Sequence, residues 1–224
     1  MTIRRLNLLT FLTLSGLLIF ACRQDQGFVP LSRADSAAIV SENLDYRAAR
    51  DEFFRSDPES PFNQDTSVSF REARWYPVNP RFRGHSTLHR YDMPDTVDVA
   101  GTGGEVRKQI RYGYFEFPVP DSAGKPAAVR LHVYKQAGSH ADPRVMRFLS
   151  IWFTDETTGV ETYGVGRYVD IESEHPDADH VYTIDLNKAY NPFCAYSDLY
   201  SCAIPTEEDH IPVRILAGEM TFHE

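Results

Sequence analysis

Apolar residues recur one helical turn apart in a single long stretch of this chain. From Asp35 to Arg55 neither Gly nor Pro intervenes, and Val40, Leu44 and Ala48 fall four apart with Tyr46, Phe53 and Phe54 on the flank. That spacing predicts an amphipathic helix. Ser32 and Asp35 stand three apart at its start, the spacing of a capping box with Asp in place of Glu. Asp57-Pro-Glu-Ser-Pro61 closes it, because proline brings no amide donor and restricts the residue before it. Thr66 to Arg74 has room for one further helical turn.

Beyond this point the period changes. Short runs rich in Val, Ile, Tyr and Phe alternate with Gly, Pro and Asp clusters. Residues 81–91, 96–100, 106–117, 129–134, 145–154, 165–171, 181–186 and 213–222 read as strands. Alternation is plainest where Val129, Leu131 and Val133 oppose Arg130, His132 and Tyr134. Gly101-Thr-Gly-Gly104 and Asp121-Ser-Ala-Gly124 read as hairpin turns. The pattern predicts a mainly β domain, an antiparallel barrel or curled sandwich with one N-terminal helix. Long helical periodicity is missing after Arg55, which argues against a βαβ architecture.

The first 21 residues stand apart. Arg4 and Arg5 precede an apolar run that is too short and too interrupted for a comfortable membrane span, and the run ends Leu18-Ile-Phe-Ala-Cys22. This resembles a bacterial lipobox. It predicts a signal peptide over 1–21, lipidation at Cys22, a tether over 22–31 and a single domain over 32–224. The expected location is the cell envelope on its non-cytoplasmic side, periplasmic or outer-membrane, with the membrane as partner through the lipid anchor. Several acyl chains on one residue hold a protein stably where one chain would not. Arg23, rather than Asp, after the lipid cysteine favours outer-membrane sorting.

Charge narrows the partners. The formal net charge is −9, and loss of Arg4 and Arg5 takes it two units lower. An acidic surface argues against nucleic acid, which needs a basic stripe. Of three cysteines, Cys194 and Cys202 remain after Cys22. The spacing is not C-x2-C and only His210 is near, so in an exported chain the pair reads as a disulfide.

Conventional enzyme signatures are missing: neither G-x-S-x-G nor H-E-x-x-H occurs, and Gly101-Thr-Gly-Gly104 lacks the lysine of a phosphate loop. Thr154 to Gly159 reads first as a turn, with a carboxylate pair as the alternative. If 165–171 is a regular strand, Arg167 and Val169 share the inner face, and the buried guanidinium needs a carboxylate, Asp185 or Glu219. Asp185, Asn187 and Asn191 offer oxygens to a polar ligand, but the run of acids a calcium loop requires is missing. Neither metal nor cofactor is expected. The leading expectation is a binding module in which Tyr163, Arg167, Asp185, Asn187, Tyr190, Asn191 and Glu219 line one pocket for a small polar or anionic ligand. The alternatives are an envelope hydrolase using Asp185 and Glu219 as acid and base, and a structural or interaction protein.

Several strings resemble the bacterial family called domain of unknown function 1684. They are Ser60-Pro-Phe62, Phe153-Thr-Asp155, Thr158-Gly159, Glu161-Thr-Tyr-Gly164, Gly166-Arg-Tyr168, Cys202-Ala-Ile-Pro205 and Ala217-Gly-Glu219. The densest is Asp185 to Tyr196. The chain departs from the family pattern at Leu186, Ala203 and Asp209. The resemblance implies an envelope or soluble domain over nearly the whole mature chain, and supplies no reaction.

Overall fold

The computed structural model describes residues 28–138 and 147–223. The expected signal peptide, Cys22 and the first part of the tether lie outside them. No helix among the described residues is long and apolar enough to cross a membrane.

Helix α1 (Arg33–Ser56) begins at the expected cap: the Ser32 hydroxyl accepts from Asp35 N at 3.0 Å, and Asp35 Oδ2 accepts from Ser32 N at 3.3 Å. Such a cap contributes about 1 kcal/mol. The buried face differs from the apolar stripe read in the sequence. Ile39, Asn43 and Phe54 are buried, while Leu44 is 55% exposed. The helix docks through a mixed face, Ile39 and Phe54 with Asn43 between them, so the stripe of Val40, Leu44 and Ala48 pointed to the wrong side. Helix α2 (Pro61–Gln64) follows, capped by the Ser60 hydroxyl. The helix expected over Thr66 to Arg74 is not formed: Asp65 accepts from Ser67 N in a tight turn, and residues 69–74 form no regular element.

Eight strands follow: β1 (Arg83–Thr87), β2 (His89–Ala100), β3 (Val106–Pro120), β4 (Pro126–Gln136), β5 (Ile151–Asp155), β6 (Arg167–Val169), β7 (Val181–Asp185) and β8 (His210–Ile211). They form sheets β1-β7, β2-β3-β4 and β6-β5-β8, antiparallel except for the short parallel contact of β5 with β8. The domain is therefore mainly β with an N-terminal helix, and among the described residues no closed barrel forms. Both hairpin turns are where the glycines put them, with Gly104 at φ +90 and Gly124 at φ +76. Register between β2 and β3 slips between Arg90 and Asp95, around Pro94, which cannot donate to the ladder.

Residues 213–222 are irregular rather than a strand. Gly218 at φ +82 breaks the extended course, and several carbonyls of the segment are bound by an arginine instead of a neighbouring strand. The main core joins Phe115, Phe117, Val129, Leu131 and Val133 to Ile151, Phe153, Ile184 and Ile215. A second cluster, Phe54, Phe62, Tyr196 and Phe222, fixes both helices to the C-terminal segment, its rings 5.0–5.4 Å apart.

Candidate functional site

The seven suspected residues fall into connected buried groups rather than around one open pocket. Strand β7 ends at Asp185, whose carboxylate caps the next turn by accepting from Asn187 N (3.0 Å) and Nδ2 (2.8 Å). The two meet through that cap. Asp185 also accepts from Arg83 Nε at 2.8 Å and Asn43 Nδ2 at 2.9 Å. Asn187 clasps both backbone polar groups of Asn79, at 2.8 and 3.0 Å.

Glu219 is fully buried and accepts from Asn191 N at 3.0 Å and from the Tyr196 hydroxyl; Arg50 Nε stands 3.7 Å away. Burial pushes its carboxyl above the ordinary range. Asn191 Nδ2 donates to Met220 O at 2.8 Å. Tyr190 donates to Asp170 at 2.7 Å, and its backbone pairs with Tyr168.

Arg167 lies on the inner face as expected, but its partner is neither Asp185 nor Glu219. It reaches Asp155 Oδ1 at 3.3 Å and donates to the carbonyls of Ile215 (3.1 Å), Ala217 and Glu219 (3.4 Å). Asp185 and Glu219 are engaged by Arg83 and Arg50. Asp155 belongs to the loop read mainly as a turn, and its carboxylate also accepts from Ile215 N at 2.7 Å and from Thr157 and Thr158. Burial lowers the Arg167 pKa, countered first by Asp155.

Sequence reading missed Asn43, Arg47 and Arg50. They stand at i, i+4 and i+7 on α1, a polar stripe at helical spacing that could have been noticed. Arg47 and Arg50 donate to the carbonyls of Asn187 (3.4 Å) and Asn191 (3.1 Å). Among the described residues no group of three or more His, Cys, Asp or Glu is placed to hold a metal ion.

Tyr163 lines a cleft. The cleft holds about 580 Å3 between the 65–68 turn and the 194–199 loop, with Asp65, Cys194, Tyr196, Ser197, Asp198 and His223 on its walls. Tyr163 donates to Cys194 O at 3.3 Å. Tyr196 is both a wall of the cleft and the donor to Glu219, so the cleft is backed by the buried cluster. Hydrogen bonds from Ser197, then Ser67, hold Asp65 below the usual carboxylate range.

Cys194 and Cys202 are free thiols here, half-buried and adjacent, with Cys194 N 3.4 Å from Cys202 Sγ. Hydrogen bonding from Cys202 lowers the Cys194 pKa. This adjacency allows the disulfide expected from sequence. Protein purified from an oxidising compartment should weigh about 2 Da less before reduction than after it. Replacing both cysteines with serine should cost roughly 2–3 kcal/mol under those conditions. Equal masses before and after reduction would remove the bond.

Comparison with known proteins gives a family and a fold. The family model described as Protein of unknown function (DUF1684) matches residues 68–220. A solution NMR structure of an uncharacterised protein of Haloarcula marismortui is similar, with a TM-score of 0.55 and 29% sequence identity. The match covers 81% of this chain and 93% of that one. No curated protein matches significantly.

Proposed function

Because the chain belongs to the DUF1684 family, whose description carries no reaction, we propose a function from its geometry: a binding module that takes a small polar ligand in the cleft over Tyr163, Cys194 and Ser197. One observation carries this reading. A cleft of ligand size stands against a wall, Tyr196, that the buried Glu219 and Arg50 fix in place. Its lining carboxylates are Asp65 and Asp198, which favours a ligand bearing an amine over an anionic one at this place.

The hydrolase alternative has little geometric support. Asp185 and Glu219 are enclosed and taken up by protein donors, which leaves neither free for proton transfer to a substrate. The same saturation favours a structural role for the buried residues within a curled, open sandwich. Tethering through Cys22 to the outer side of a membrane is part of the proposal and rests on Arg4, Arg5 and Leu18 to Cys22.

The test is native mass spectrometry of the whole chain released from membranes, followed by melting curves with choline, spermidine and lysine as probes. A bound small mass or a saturable shift is expected. Asp198→Asn should weaken an amine by on the order of tenfold, the loss of one charge-assisted contact. A bare protein that no amine shifts would sink the reading.

A further inference from the structure

The two thiols sit in segments that other bonds already hold. On the Cys202 side, Cys202 N donates to Thr102 Oγ1 at 3.1 Å, Thr102 N donates to Cys202 O at 2.9 Å, and the Tyr168 hydroxyl donates to Ala203 O at 2.7 Å. On the Cys194 side, the Tyr163 hydroxyl donates to Cys194 O at 3.3 Å, and Ala195 N donates to Pro192 O at 2.9 Å. The folded chain therefore keeps the two side chains adjacent while both are reduced. A bond between the sulfurs can open and close with the backbone in place.

The pair is not symmetric. Cys194 lines the cleft of about 580 Å3, and Cys202 is not among the residues on its walls. The Tyr163 hydroxyl stands 3.8 Å from Cys194 Sγ, within reach of a bond to sulfur, whereas the one backbone donor, Cys194 N, faces Cys202 Sγ at 3.4 Å. Hydrogen bonding from Cys202, joined by Thr102 and Tyr163, lowers the Cys194 thiol to about 6, and the bond to Cys194 raises Cys202. A sulfur that served only as a staple would need neither an open cleft beside it nor hydroxyl donors around it. We propose that Cys194 is the entry point for thiol–disulfide exchange with a small disulfide admitted to the cleft, and that Cys202 resolves the mixed disulfide. The Cys194 thiolate attacks one sulfur of R–S–S–R, forms Cys194–S–S–R and releases R–S⁻. Cys202 gives its proton to that thiolate or to water and attacks Cys194 Sγ. The Cys194–Cys202 bond forms and the second R–S⁻ leaves, so one disulfide is reduced as two thiols are oxidised. A small dithiol runs the sequence backwards.

The experiment mixes the reduced whole chain, in detergent at about pH 6, with bis(2-hydroxyethyl) disulfide. This probe carries no charge, so the amine reading of the same cleft can fail without touching the result. Peptide mapping assigns every adduct to its cysteine, Cys22 included. The wild type is expected to finish as the internal disulfide. Cys202→Ser should stop at the adduct on Cys194, and Cys194→Ser should react at least about tenfold more slowly, at Cys202. The Cys194 rate should level off above about pH 7, where a free thiol continues to gain towards about pH 9. Should the serine variants fold poorly, limiting iodoacetamide on the reduced wild type carries the comparison, with Cys194 labelled about tenfold ahead of Cys202. Equal reaction at the two cysteines would overturn the proposal. So would a folded chain whose Cys194 reacts at about pH 6 no faster than in urea, since the lowered thiol should gain about tenfold there even after its weaker nucleophilicity is counted.

Discussion

Replacing Arg167 with alanine is expected to lower stability by roughly 3–5 kcal/mol, the cost of removing one member of a buried ion pair. The side chain is fully buried, so solvent cannot take over its role. Asp155 would be left with only Thr157, Thr158 and Ile215 N as donors. The carbonyls of Ile215 and Ala217 would lose the donors that stand in for a strand partner. Since a domain of this size is stable by about 5–15 kcal/mol, the loss would remove a large share of its stability. Urea unfolding measures the loss. The double variant Arg167→Ala/Asp155→Ala should lose about 1–3 kcal/mol less than the two single losses together, because each single change strands the other charge. An Arg167→Ala protein within about 1 kcal/mol of wild type would mean that the guanidinium does not hold residues 213–222.

From sequence, Arg167 had the right direction and a buried carboxylate partner, but the wrong one. Its inward direction followed correctly from strand alternation, since Arg167 and Val169 are buried while Asp170 is exposed. Its partner did not follow, because Asp155 sits in a turn-forming string where Thr and Gly dominate the reading. The pairing was nonetheless reachable. Phe153 lies opposite Arg167 in the β5-β6 register, which puts Asp155 on the same face one diagonal step away.

Elements whose buried side is apolar were legible; those whose buried side is polar were not. In β4, Val129, Leu131 and Val133 are buried and Arg130 is exposed, as alternation says. On α1 the docking face carries Asn43, Arg47 and Arg50, so Val40, Leu44 and Ala48 looked like the core side while lying half or fully exposed. The candidate site suffered the same inversion. Arg167, Asn187, Asn191 and Glu219 drew attention as polar residues suited to a ligand, yet much of their polarity is consumed by backbone groups that irregular chain leaves over. The Tyr163 cleft depends on three segments far apart in sequence, 65–68, 194–199 and His223, and no local pattern announces such a convergence.

Gly218→Ala should cost roughly 3 kcal/mol, from left-handed backbone strain together with overpacking. Gly218 has φ +82, and a Cβ there would lie 2.6 Å from Ala189 O and 2.9 Å from Leu186 O. Those are backbone atoms of the turn that Asp185 caps, so they cannot swing aside as a side-chain tip would. Relief would require residues 217–219 to retreat from 186–189. That movement would break the 2.8 Å bond from Glu219 N to Ala189 O and the 3.0 Å bond from Tyr76 N to Gly218 O. It would also draw the Ala217 carbonyl from Arg167 and the Glu219 carboxylate from Tyr196. A matched control separates strain from contact. Gly124 has a similar φ of +76 in the β3-β4 turn, where a Cβ would meet nothing within 4 Å. Gly124→Ala should therefore cost only the conformational part, about 1–2 kcal/mol. Parallel urea denaturation of the two variants should show Gly218→Ala losing about 1–2 kcal/mol more. Equal losses would mean that the close approach of 217–219 to the 186–189 turn does not constrain the fold.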